Sequence, residues 1–236
     1  MTPELLAALT AARNDKRPVV LATQLPDGMQ WLLPDPTQPT ELNAAAEQAL
    51  RDDRSGTVKL GGTDWFLQAH NPPLRLIVVG AVHIAQALVP FASGVGFAVT
   101  VVDPRRSFAS DDRFPDVTIR TDWPDEALDE LRPDSRTAVV TLTHDPKLDD
   151  PALDRALKSA AFYIGALGSR RTHAARLKRL RELGHDESAL DRIQGPVGLD
   201  IEAVTAAEIA LSIVAELVAV RRGAPVARGD KRKHAA

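Results

Sequence analysis

The chain contains no cysteine. That absence excludes a disulfide framework, a cysteine-ligated zinc finger, an iron–sulfur cluster and a cysteine nucleophile. No segment approaches the roughly 18 consecutive apolar residues of a membrane span. The first residues, Met1-Thr2-Pro3-Glu4-Leu5, lack the basic start and apolar run of a signal peptide. The expected compartment is therefore the cytoplasm, with no membrane partner. Excess charge of one sign is also missing. A net charge of -3 gives no electrostatic footprint for nucleic acid. Internal repeats and low-complexity blocks are absent. What remains is an ordinary globular composition over 236 residues, 44% hydrophobic and 26% charged, long enough for one large domain or two small ones.

One punctuation mark divides the chain. Asn71-Pro72-Pro73 can neither continue a helix nor fill a central strand, so it reads as a linker. Residues 1–71 read as a small α+β domain. Thr2 and Pro3 start a helix with an apolar stripe at Leu5, Leu6 and Leu9. Val19–Ala22 and Trp31–Leu33 flank Pro26-Asp27-Gly28 as a first hairpin. Thr40 is placed to cap a helix through Leu50, and Val58–Leu60 and Trp65–Leu67 flank Gly61-Gly62 as a second hairpin. Residues 72–223 read differently. Apolar strands at Leu74–Val79, Phe97–Val102, Thr137–Leu142 and Phe162–Ile164, with a weaker one at Val117–Ile119, alternate with helices. Helices are expected at His83–Ala92, Glu126–Leu131, Pro151–Lys158, Ser169–Leu183 and Thr205–Arg221. Such alternation predicts βαβ crossovers and a Rossmann-like, doubly wound parallel sheet of the α/β class. Residues 224–236, with the basic run Arg228–His234, read as a disordered solubilising tail.

In an open parallel sheet, ligands bind outside the carboxyl ends of the strands. After the first strand comes Gly80-Ala81-Val82-His83-Ile84-Ala85, in the place of a dinucleotide fingerprint. Gly80 suits the tight turn, but Val82 stands where a glycine normally admits a pyrophosphate. Asp103 closes the second strand at the distance expected of a ribose acceptor, and Arg105 and Arg106 offer phosphate partners. After the fourth strand, His144-Asp145-Pro146 offers acid–base chemistry, a metal ligand, or a loop in which Asp145 caps the chain. His83 faces the same region. The fifth strand leads into Gly165-Ala166-Leu167-Gly168-Ser169-Arg170-Arg171-Thr172. Ser169 is a natural N-cap, and the glycines, the helix N-terminus and the arginines together suit phosphate or pyrophosphate. Beyond His144 and Asp145, nothing has metal-ligand spacing. Thr205 and Glu208 form a capping box, and Ser212 and Glu216 read as a solvated or interface stripe on the last helix.

Five runs in order then resemble one family. They are Leu76–Ala85, Val102–Arg105, Thr143–Asp145, Tyr163–Arg171 and Gly195–Ile201 with the helix from Thr205. Over residues from about 74 to 222, the chain resembles the Rossmann half of the XdhC/CoxI accessory proteins of xanthine dehydrogenase and carbon monoxide dehydrogenase. The resemblance implies a non-catalytic chaperone that binds molybdenum cofactor of the molybdopterin type and helps insert it into an apo molybdenum hydroxylase. It implies a cysteine desulfurase as a second partner and a homo-oligomeric assembly. The cofactor-binding residues it carries over are Gly80, Ala81, His83, Asp103, Arg105, His144, Gly165, Gly168, Ser169 and Arg170. The chain departs from the family in lacking the longer, cysteine-containing N-terminal domain, so no side chain here can relay a persulfide. The short first domain is left for docking or dimerisation. Two other readings of the residues stay open: an NAD(P)-dependent oxidoreductase, which Val82 opposes, and a nucleotide-binding scaffold or sensor holding NAD or an adenine nucleotide.

Overall fold

A computed structural model describes residues 1–226, so the basic run Arg228–His234 lies outside the described residues. The chain divides into two compact units, Met1–Pro72 and Pro73–Ala236. The first unit comprises α1 (Pro3–Asn14), β1 (Val19–Leu25), β2 (Gln30–Leu33), α2 (Thr40–Asp52), β3 (Gly56–Leu60) and β4 (Thr63–His70). Its four strands form an antiparallel sheet in the order β2-β1-β4-β3. Strand alternation splits β1 between two cores. Val19 and Leu21 pack with Leu9 and Ala12 of α1, whereas Val20 and Ala22 pack with Leu42 and Ala46 of α2. Both expected hairpins are present. Thr2 caps α1 through its side chain, but α2 is capped by Pro39, with Thr40 already inside the helix.

The second unit comprises β5 (Leu74–Val79), α3 (His83–Gly94), β6 (Phe97–Val102), β7 (Thr118–Arg120), α4 (Pro124–Leu131), β8 (Thr137–Thr141), α5 (Pro146–Leu157), β9 (Tyr163–Ala166), α6 (Arg170–Glu182), α7 (Glu187–Leu190), β10 (Ile193–Gln194) and α8 (Ala206–Arg221). Six parallel strands run in the order β10-β9-β8-β5-β6-β7. This is the Rossmann order, in which the chain winds outward from a central strand first one way and then the other. The continuous apolar character of β5 follows from burial on both faces. Leu76 and Val78 pack with residues of α3 and α8, while Ile77 and Val79 pack with residues of α4, α5 and α6.

Three expectations need correction. Helix α5 begins at Pro146 rather than Pro151, because Asp145 caps it and Pro146 occupies the first turn, where a missing N–H costs nothing. A sixth strand, β10, extends the sheet beyond β9. Ser212 and Glu216 are not solvated: they are 3% and 2% exposed on the inner face of α8. Glu216 is held there by Tyr163, whose hydroxyl donates to Oε2, and by the Gly198 N–H at 2.8 Å. The capping box of Thr205 and Glu208 is present. Among the described residues no helix is long and apolar enough to cross a membrane.

Candidate functional site

The winding direction reverses between β5 and β8, which opens a crevice at their carboxyl ends. Gly80 leaves β5 with φ +113°, a conformation that L side chains rarely adopt. A Cβ there would lie 2.6 Å from Thr143 Cγ2, so only glycine lets the turns after β5 and β8 pass so closely. The next N–H, of Ala81, donates to Asp103 Oδ2 at 2.8 Å. Asp103 is fully buried at the end of β6 and also accepts Arg105 N–H at 3.0 Å, Nε at 2.9 Å and Nη2 at 2.7 Å. The Arg105 guanidinium lies over the Phe108 ring, 4.5 Å from its centroid. Both Asp103 oxygens thus brace the loop, and a ribose hydroxyl would reach them only by exchange with Arg105.

Burial opposes charge on Asp103, but the bonds from Arg105 and Ala81 outweigh it and hold its carboxyl below the usual aspartate value. A depressed folded pKa contributes stability that is present above the unfolded value and lost as pH falls through the folded one. The melting temperature is expected to drop in that acid window. Asp103→Asn is expected to lower stability at neutral pH and to remove part of the acid drop. A variant with an unchanged melting profile would refute the brace.

Above α3, His83 is exposed, and its ring Nδ1 lies 3.2 Å from Gln86 Oε1, which also accepts Arg113 Nη2 at 3.1 Å. Val82 occupies the N-cap position of α3 without a side-chain cap bond. Across the crevice, His144 sits exposed at the tip of the loop after β8 with φ +61°. Asp145 caps α5 through Lys147 N–H at 2.9 Å. The loop after β9 meets this tip. A Cβ on Gly168, whose φ is +137°, would lie 3.2 Å from Thr172 and 3.5 Å from His144 Nδ1. Ser169 Oγ accepts Thr172 N–H at 3.1 Å and so caps α6. The N–H groups of Arg170 and Arg171, in the first helical turn, have no acceptor within the helix. Both arginine side chains are exposed beside them.

The crevice therefore brings together Gly80, Ala81, Asp103, Arg105, His144, Gly168, Ser169 and Arg170, with His83 opening α3 on the β5 side. Gly165 stands apart. It is buried within β9, where its missing side chain makes room for Val197 and the Tyr163 ring. Two residues central to the site were not singled out from the sequence. Thr143 Oγ1 donates to Asp149 Oδ1 at 2.6 Å, and Arg176 Nη2 lies 3.4 Å from Asp149 Oδ2 and donates to Leu167 O at 2.8 Å. This buried pair ties the turn after β8 to the turn after β9. Loss of water raises the Asp149 carboxyl and lowers the Arg176 guanidinium, outweighing their mutual attraction. Arg176 Nε and Nη1 are buried without an acceptor among the described residues. Among the described residues no group of three or more histidines or carboxylates is placed to hold a metal ion.

Among known proteins, the XdhC Rossmann domain family matches residues 76–217 of the chain. A protein of Escherichia coli K12 named molybdenum cofactor insertion chaperone PaoD is 35% identical over 163 residues, which is 67% of this chain and 45% of that one. A Bacillus subtilis 168 protein, by name a probable xanthine dehydrogenase component, is 34% identical over 161 residues, covering 68% of this chain and 47% of that one. The chain thus spans less than half the length of these curated relatives. A crystal structure described as a xanthine dehydrogenase from Bacillus halodurans superposes with a TM-score of 0.67 at 25% identity, covering 98% of this chain and 65% of that one. The matched residues run from β5 into α8 and take in every turn of the crevice. By fold, by sequence and by extent of match, the chain belongs to the XdhC Rossmann domain family.

Proposed function

We propose that the chain is a maturation factor for a molybdenum hydroxylase of the xanthine dehydrogenase type. It binds a molybdenum cofactor of the molybdopterin type at the carboxyl edge of the sheet and assists its insertion into the apo-enzyme. The observation that carries this reading is the 35% identity to a protein named as a molybdenum cofactor insertion chaperone. The residues present fit such a ligand at its phosphate. Gly168 leaves a cradle that a Cβ would fill, and the first turn of α6 presents free N–H groups at the positive end of its dipole. Arg170 and Arg171 add charge, and Arg has the fork geometry that matches phosphate oxygens. His144 stands beside Gly168 and closes the other side.

When bound, the cofactor supplies the molybdenum centre that the client enzyme uses. This chain's part is to hold its anionic end and shield it from water. With no cysteine, the chain carries no thiol on which sulfur can ride, so any sulfur donor, such as a cysteine desulfurase, acts on the cofactor directly. The first unit, Met1–Pro72, serves docking or self-association in this scheme, and the site of action is the cytoplasm.

Purification from a molybdopterin-competent host, followed by fluorescence of the oxidised pterin released on denaturation, tests the reading. Stoichiometric pterin is expected. Arg170→Ala and Gly168→Val are each expected to lower retained cofactor about tenfold, the scale of one lost charge-assisted bond, while the circular dichroism melt stays cooperative. Pterin-free protein from a host with ample cofactor would overturn the proposal.

A further inference from the structure

A cavity of about 630 Å³ lies beside the crevice, beyond β9 and β10. It is a typical size for a small-molecule site. Its walls come from the turn after β9 and the start of α6, from Gln194 of β10 and the segment 195–203 that follows it, and from the inner face of α8. Leu167, Val197, Leu199, Ile201 and Ile209 give it apolar walls, and Arg170 stands among them. Two acceptor side chains, Glu216 and Gln194, break this apolar lining. Glu216 is 2% exposed, yet both bonds it accepts, from Tyr163 and Gly198, fall on Oε2. Its Oε1 takes no donor from the described residues. Gln194 Oε1, in the same wall, is also without a donor, while Nε2 donates to Arg192 O at 3.3 Å and so fixes which way the amide points.

A carboxylate that served only to bracket Tyr163 and the Gly198 turn would need one oxygen. Glu216 lines the cavity with that second oxygen left over for a ligand, and the desolvation cost of the donorless Gln194 Oε1 is one that a ligand's N–H group would offset. We infer that this cavity seats a planar heterocycle with adjacent ring N–H and exocyclic amine donors, the 2-amino-4-oxopyrimidine edge shared by pterins and guanine, and that Glu216 is its acceptor. Gln194 supplies a second acceptor once its side chain turns from the wall. The apolar walls cover the ring faces, and Arg170 connects the cavity to the anion-binding turn of α6. The choice of a pterin over guanine rests on the cofactor-binding role proposed above; the donor pattern does not.

Calorimetric titration of the full chain with 6-hydroxymethylpterin, lumazine, GMP and AMP tests the assignment. Lumazine keeps the bicyclic ring but carries oxygen in place of the 2-amino group. The pterin is expected to bind at least tenfold more tightly than lumazine, and GMP at least tenfold more tightly than AMP. Whichever of pterin and GMP binds more tightly identifies the source of the edge. Glu216→Gln is expected to erase the pterin–lumazine preference, because an amide both donates and accepts. Gln194→Leu, which leaves the Tyr163 bracket intact, is expected to weaken pterin binding severalfold. Equal binding of pterin and lumazine, or no binding of either pterin or GMP, overturns the inference. If purified protein retains cofactor that neither free pterin nor Gln194→Leu displaces, the cavity assignment fails and the proposed function stands. If pterin is preferred over lumazine but no cofactor is retained, the cavity stands and the proposed function fails.

Discussion

Asp149→Ala is expected to destabilise the fold by about 3–5 kcal/mol, the cost of leaving one member of a buried ion pair without its partner. Both side chains are only 2% exposed. Arg176 already buries two donors without acceptors, so removing Asp149 would leave a guanidinium held by a single bond, to Leu167 O. Thr143 would lose its acceptor as well, leaving the Asp145 cap as the turn's tie to α5. Urea denaturation should show the midpoint falling with little change in slope. Two companions separate charge from packing. Asp149→Asn keeps the acceptor for Thr143 and is expected to lose less. The double variant Asp149→Leu with Arg176→Met replaces the pair by apolar groups of similar size and is expected to recover most of the stability, as buried pairs often do. Retained cofactor should fall in the double variant even so, because the tie between the turns after β8 and β9 is gone. A single Asp149→Ala variant as stable as the parent would remove the pair from the account.

Gly80→Val is expected to cost about 2–6 kcal/mol and to abolish ligand retention. Two effects add. The left-handed backbone carries about 1–3 kcal/mol of strain with any L side chain, and crowding a close-packed contact costs about 1–3 kcal/mol more. The crowding is specific, because the new Cβ falls 2.6 Å from Thr143 Cγ2. Gly96 supplies the control. Its φ is +93°, but no atom lies within 4 Å of where its Cβ would stand, so Gly96→Val meets the strain alone. Thermal melts of the two variants should therefore differ by the crowding cost, and only Gly80→Val should lose cofactor. Equal loss in both would mean that the approach of the β5 and β8 turns does not shape the site.

The fold was legible because its strands announce themselves. Leu76-Ile77-Val78-Val79 and Ala138-Val139-Val140 are apolar on both faces, and that pattern has few explanations other than a covered parallel sheet. The turns after them were legible too, since Gly80, Gly168 and Ser169 carry conformational and capping demands that are local in sequence. The residues missed are those whose partners are remote. Arg176 lies in an arginine-rich helix, and the hint that it faces inward is its spacing of four from buried Leu180. Glu216 looks like any helical glutamate until Tyr163, far upstream, is seen to donate to it. Strand β10 has only two residues, too few for a period to register. Pro146 and Pro151 are both compatible with a helix start, and only the bond from Lys147 N–H to Asp145 decides between them.

The strand order has a consequence for how the site comes into being. The crevice lies between β5 and β8, which pair directly although residues 74–79 and 137–141 are separated in sequence by β6, β7 and their connections. Contacts of such separation close late, because loop-closure entropy must be overcome before they contribute. During synthesis the first βαβ half is complete while the ribosome still holds β8, and the anion-binding turn follows later still. No nascent chain shorter than the start of α6 contains the whole crevice. Under the function proposed above, ligand capture waits until the chain has reached α6, and a translation product that ends before α6 lacks the anion-binding turn.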